Sequence, residues 1–139
     1  MIKTPYAAAD VIIRYQDGIV LIERKNEPSG WAIPGGFVEI GESVEEAAVR
    51  EAREETSLDV TLSELFHVYS KPGRDPRFQT VSVVFIGIGT GTLKGMDDAR
   101  RADVFRADNL PAQIAFDHRK ILEDYYRYVA TGVRPHIKN

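Results

Sequence analysis

Three glutamates, Glu51, Glu54 and Glu55, stand at i, i+3 and i+4 within Gly36 to Leu58, GFVEIGESVEEAAVREAREETSL. On a helix that spacing makes them neighbours on one face, where like charges repel. A hard divalent cation offsets such a cluster. Mg²⁺ takes one or two carboxylates, keeps several waters and completes its shell with substrate phosphate oxygens. On a helical wheel Val44, Ala47 and Ala48 share a sector with Glu51 and Glu55, so the acidic cluster continues the face that docks on the protein. Burying carboxylates without partners is costly or raises their pKa values, and a bound cation resolves that conflict. The competing reading is a solvated face, with Arg50 and Arg53 in surface ion pairs. Glu45 and Glu46 are read that way. For the other three, the glycine turn just ahead favours a metal site for phosphate chemistry.

A second set of candidates lies in His67 to Thr80, HVYSKPGRDPRFQT, which puts Lys71, Arg74 and Arg77 in one loop. Arginine suits bidentate capture of phosphate, and Asp75 can hold an arginine or a ribose hydroxyl. From the residues alone, a polar hairpin loop shaped by Pro72, Gly73 and Pro76 is an equal reading.

The elements that position these groups follow from turns and periodicity. Ala8 to Tyr15 and Ile19 to Arg24 are β-rich runs around Gln16-Asp17-Gly18, a hairpin signal. Trp31 to Pro34 is a short strand that Gly35-Gly36 ends. Ser43, with Glu46 three residues on, fits a capping box and starts a helix running to about Ser57. Leu58 to Ser70 is extended, Lys71 to Phe78 is a loop, and the apolar run Thr80 to Gly89 is a central strand. Thr90 to Ala102 is a polar loop, Asp103 to Arg106 a short strand, and Pro111 to Ala130 a second helix ended by Gly132 and Pro135. Strands, helix, strands, helix is the order of an α+β protein, or an α/β/α sandwich around a mixed sheet.

The 139 residues suffice for one domain, 1–139, with a real core. A net charge of −3 gives no electrostatic footprint for nucleic acid or acidic membranes. The chain has no cysteine, which excludes disulfides, thiol catalysis and thiolate metal sites. No apolar run approaches the roughly 18 residues of a transmembrane helix. The N-terminus lacks the apolar core of a signal peptide, so a cytoplasmic protein is expected.

The glutamate segment resembles the Nudix box: Gly, five residues, Glu, seven residues, Arg-Glu, an apolar residue, any residue, Glu-Glu, any residue, Gly, an apolar residue. Gly36, Glu42, Arg50, Glu51, Ala52, Glu54, Glu55 and Leu58 fit, and Ser57 stands at the last glycine. The resemblance implies an α/β/α sandwich with a mixed sheet flanked by the box helix and a C-terminal helix. It also implies hydrolysis of a nucleoside diphosphate linked to another moiety. Glu51 and Glu55 would ligate Mg²⁺, with Mn²⁺ as the alternative, and Glu54 would ligate a further metal or orient the water. The carbonyl of Gly35 would also contact metal, glycine allowing the close backbone approach. Glu42 would support the site, and Arg50 would hold the glutamates in place. The family's last glycine ends the helix in a left-handed conformation. Serine should cost of order 1 kcal/mol more there, with the carboxylates unmoved.

Within that family the loop looks like that of the ADP-ribose pyrophosphatases. Pro72 lies fifteen residues beyond Ser57, as in that branch. Tyr69-Ser70, Pro72-Gly73-Arg74-Asp75-Pro76-Arg77 and the entry from Arg24 to Pro28 and Trp31 to Glu39 are similar too. Gln79-Thr80 replaces the usual His-Thr. The resemblance implies cleavage of ADP-ribose to AMP and ribose 5-phosphate, with Lys71, Arg74, Arg77, Asp75 and Arg24 contacting substrate. Tyr6, Trp31, Phe37 and Phe78 are candidates for stacking on adenine, each more often core than contact. Many relatives draw a base from a glutamate near Arg101; here the candidates are Asp97, Asp98 and Glu54, a loop aspartate being more often solvated turn chemistry. The alternatives are a nucleoside-triphosphate pyrophosphohydrolase, including one for oxidised nucleotides, and a non-catalytic nucleotide-sugar sensor. A homodimer is expected from the resemblance. His67, His118 and His136 lack metal-ligand spacing and are expected at packing or surface positions.

Overall fold

The computed structural model describes residues 2–95 and 99–137. Its centre is β1 (Tyr6–Tyr15), buried from Ala8 through Ile13. A strand buried on both faces needs cover on both sides, and alternate residues supply it. Ala9, Val11 and Ile13 pack with Ala47, Ala48 and Ala52 of α1 (Val44–Thr56). Ile12 packs on the opposite side with Ile121, Leu122 and Tyr125 of α2 (His118–Thr131). The sheet is therefore sandwiched between the two helices, as expected.

Beside β1 runs β6 (Thr80–Thr90), parallel to it over Tyr6↔Thr80 to Arg14↔Ile88. The outer neighbour β5 (Asp59–Tyr69) pairs antiparallel with β6. On the other edge β1 is shared. Its first half pairs with β4 (Gly35–Phe37), its end with β2 (Gly18–Arg24). The strand β2 also carries β3 (Trp31–Ala32) and β7 (Ala99–Phe105), both antiparallel. With one parallel pair among antiparallel ones, the sheet is mixed.

The β1–β2 hairpin closes one residue earlier than the Asp-Gly signal suggests. Gln16 and Asp17 make the turn, with Gln16 at φ 55°. Gly18 serves β2 instead, because a Cβ there would lie 2.4 Å from the carbonyl oxygen of Phe105. Three other boundaries differ. Gly35 and Gly36 do not end a strand but form one with Phe37. The last strand begins at Ala99, inside the expected polar loop, because it pairs along β2. The second helix begins at His118 rather than Pro111: Gln113 accepts from Trp31 N–H and Ala115 donates to the Trp31 carbonyl, so this backbone pairs beside β3.

The α1 helix has the expected ends. Ser43 Oγ accepts from Glu46 N–H while Glu46 accepts from Ser43 N–H. Ser57 caps the other end at φ 66° and donates its N–H to the Arg53 carbonyl. Among the described residues no helix is long and apolar enough to cross a membrane.

Candidate active site

One cleft gathers most of the candidates. Gly35, Gly36, Glu51 and Glu55 line it together with Arg24, Arg74, Asp75 and Arg77. The glutamates come from α1, the glycines from β4, Arg24 from the end of β2 and the rest from the loop between β5 and β6.

The acidic wall centres on Glu55, which is only 6% exposed. Its Oε1 accepts the Gly35 N–H at 2.8 Å. Burial pushes its carboxyl well above the usual range against that hydrogen bond; Glu51 and Asp10 push the same way and Arg24 opposes. Beside it, Arg50 gathers three carboxylates. It donates to Glu42 from Nε at 2.6 Å and Nη2 at 2.9 Å, and from Nη1 to Glu51 at 2.8 Å and Glu54 at 3.2 Å. Its Nη2 also reaches the Phe37 carbonyl. These bonds hold Glu42 down at about 2, and in return the arginine is held more firmly protonated. Arg50 thus ties Glu42 to Glu51 and Glu54.

Glu54 is bound to Arg50, 44% exposed in its side chain, and is not among the cleft-lining residues. Among the described residues, no three carboxylate or histidine side chains converge closely enough to hold a metal as they stand. Arg50 accounts for this by drawing Glu51 and Glu54 to itself. The donor set nonetheless fits a hard cation: two cleft carboxylates beside glycine backbone, one of them buried and lacking a full counter-charge.

Asp10 is a cleft residue that the sequence reading missed. It is buried, and burial raises its carboxyl to about 7 against the pull of Arg74 and a hydrogen bond with Ser82. It pairs in register with Gly35, where a Cβ would lie 2.0 Å from Asp10 Oδ1. The available signal was a single carboxylate inside the apolar run AAADVII.

The basic wall is more tightly committed than expected. Arg74 is 4% exposed in its side chain. It donates to both oxygens of Asp117 at 2.9 and 2.6 Å, and to Thr80 and Ser82 hydroxyls at 2.9 and 2.7 Å. Most of its donor capacity is thus spent inside the protein, although it lines the cleft. Asp75 holds an arginine, Arg77, through Nε at 3.1 Å and Nη2 at 3.0 Å. Burial raises the Asp75 carboxyl, but these bonds outweigh it and keep it below the usual range. Arg24 donates to the Pro28 carbonyl at 2.8 Å and lies over the Phe116 ring. Lys71 is exposed and is not among the lining residues.

Of the aromatic candidates, Phe37 lines the cleft and packs with Tyr6 and Phe78 at centroid distances of 5.3 and 6.0 Å. Trp31 is core, edge-on to Phe105. Phe116 lines the cleft and was missed. His118 was expected at a packing or surface position; it is buried, lines the cleft, and accepts the Ile33 N–H on Nδ1 at 3.0 Å. Arg101 lies in β7, not in a loop, and pairs with Glu23. Asp97 and Asp98 lie outside the described residues.

The NUDIX domain family model matches residues 4–125. A curated relative, the ADP-ribose pyrophosphatase of Methanocaldococcus jannaschii, is 51% identical over 127 residues, covering 89% of this chain and 75% of the relative. A MutT/nudix family protein from Enterococcus faecalis superposes with a TM-score of 0.80 at 28% identity, over 94% of this chain and 64% of that one. A bifunctional NMN adenylyltransferase/ADP ribose pyrophosphatase from Francisella tularensis, complexed with AMP and a Mn ion, gives 0.79 at 25% identity, over 91% of this chain and 42% of that one.

Proposed function

The chain belongs to the NUDIX domain family, whose hydrolases depend on divalent metals, and from that premise we propose that it hydrolyses ADP-ribose to AMP and ribose 5-phosphate. The observation that carries this reading is the gathering of two carboxylates, Glu51 and Glu55, and two guanidiniums, Arg24 and Arg77, around one cleft. A pyrophosphate diester needs both. Its metal-bound oxygens require carboxylates nearby, and the remaining anionic and polar groups require guanidinium donors. The 51% identity to an ADP-ribose pyrophosphatase supports the substrate.

In this reading Glu51, Glu55 and the backbone at Gly35 would hold Mg²⁺ or Mn²⁺. Such an ion polarises phosphoryl oxygens and makes a bound water more acidic. Water adds to one phosphorus as the bridging oxygen leaves with the other phosphate. Arg50 holds Glu51 from outside the cleft, and Glu42 fixes Arg50. We assign the proton of the attacking water to Glu54, which swings in from Arg50; Glu54→Gln tests that assignment through kcat. Arg77, braced by Asp75, and Arg24 bind the substrate. The form proposed is a homodimer, as the family resemblance implies, which sedimentation tests.

The deciding experiment follows AMP and ribose 5-phosphate from ADP-ribose with Mg²⁺, beside a nucleotide panel and Glu55→Gln. Selective, metal-dependent cleavage lost in that variant supports the reading. Release of pyrophosphate from triphosphates would keep the mechanism and discard the substrate. Binding without turnover would favour a sensor.

A further inference from the structure

Three consecutive residues ahead of and at the start of α2 each hold a different part of the cleft. The Phe116 ring carries the Arg24 guanidinium 4.8 Å from its centroid and that of Arg77 at 5.4 Å, with the Phe37 and Phe78 rings also against Arg77 at 5.7 and 5.6 Å. Asp117 grips Arg74 with both oxygens. His118 accepts the Ile33 N–H, two residues before Gly35. Consecutive side chains of a regular helix point about 100° apart, so three in a row cannot serve one cleft from helical backbone. Here Phe116 adopts φ 57°, a left-handed conformation that is an outlier for a bulky residue. Backbone strain of this kind persists only where its surroundings enforce it, and it clusters at ligand clamps.

From this geometry we propose that Phe116-Asp117-His118 is the positioning element of the cleft, with Phe116 setting Arg24 and Arg77 as a paired clamp for the diphosphate of the substrate. Two guanidiniums repel each other, and the π-face of a ring attracts both. Each head is also restrained away from the ring: Arg24 by the Pro28 carbonyl, and Arg77 by Asp75, which takes Nε and Nη2 and leaves Nη1 outside that pairing. Donors fixed before the ligand arrives lose less entropy on binding it. Asp117 neutralises Arg74 and packs it as a support. The clamp rests on the pyrophosphatase reading for its substrate, but its ligand chemistry, a diphosphate anion, does not require ADP-ribose.

The test compares Phe116→Tyr, Phe116→Leu and Phe116→Gly with wild type. The readouts are KM and kcat on ADP-ribose, the Kd of ADP by calorimetry, and Tm. Loss of the ring in Phe116→Leu and Phe116→Gly should raise KM and the ADP Kd about tenfold, while kcat falls less than about threefold. Phe116→Tyr should restore wild-type values. Glycine relieves the left-handed strain, so Phe116→Gly should melt no lower than Phe116→Leu despite removing more side chain. Unchanged KM and Kd in Phe116→Leu, or failure of Phe116→Tyr to rescue, overturns the proposal. So does an absence of ADP binding in wild type. If wild type binds ADP yet leaves ADP-ribose intact, the substrate reading falls and the ADP arm still decides the clamp.

Discussion

Gly36 and the carboxylate of Glu51 compete for one volume. A Cβ at Gly36 would lie 2.6 Å from Glu51 Cδ and 2.7 Å from each of its oxygens. The obstructing atoms are the far end of a side chain, so Gly36→Ala should turn Glu51 aside at little cost to the fold. A misplacement of about 1 Å at such a group can cost on the order of 10²-fold in rate. The expected result is that loss in kcat/KM, with Tm within a few degrees of wild type. Wild-type kcat/KM would remove Glu51 from the reaction.

Glu55 sets function against stability. Burial raises its carboxyl, and Glu51 and Asp10 add to the effect, so its charge is disfavoured in the metal-free fold. Glutamine has nearly the same shape and keeps an oxygen for the Gly35 N–H. Glu55→Gln should therefore raise the metal-free Tm at pH 8 while lowering kcat by more than ~10²-fold, a larger loss than removal of a supporting residue. It should also shrink the Tm rise that Mg²⁺ gives wild type. A lower metal-free Tm would show that the Glu55 charge is compensated within the protein.

The chemistry of α1 was legible because helix periodicity is local. Spacing alone puts Glu51, Glu54 and Glu55 on one face, the part given to Arg50 came from the family resemblance, and Ser43 and Ser57 mark the ends of the same element. The other half of the cleft was not legible, because it is assembled by tertiary pairing. Asp10 becomes a site residue only when β4 brings Gly35 beside it. Phe116 and His118 were assigned to a helix interior, and pairing of residues 113–115 beside β3 moves the helix start past Phe116 to His118. Arg74 shows the same limit from the other side. Its type suits phosphate, yet Asp117, 43 residues on, grips it while Thr80 and Ser82 across the loop take its other nitrogen, which no spacing rule reveals.

Ser57 pays a conformational cost that glycine would not. It sits at φ 66° at the end of α1, where a Cβ is disfavoured. Ser57→Gly should stabilise the protein by of order 1 kcal/mol, a Tm rise of about 3–5 °C for a domain of this size. The glutamates precede the cap and keep their places, so kcat should stay within threefold. A tenfold change in kcat would contradict this separation of cap from chemistry.

His118 makes stability fall on acidification. Burial lowers its pKa from 6.5 to about 3, and the nearby Arg74 and Arg24 act in the same direction. Between those values the unfolded chain binds a proton that the native imidazole refuses. Stability is therefore full above pH 6.5 and declines as pH falls toward 3. Two pH units into that window the loss amounts to roughly 2–3 kcal/mol. Carboxylates titrate there too, so the contribution is isolated by His118→Asn, whose Oδ1 can still accept the Ile33 N–H but does not titrate. Denaturant unfolding at about pH 4.5 and pH 7.5 should show a smaller acid loss in the variant by about that amount. Equal acid losses in the two proteins would mean that protonated His118 is accommodated in the fold.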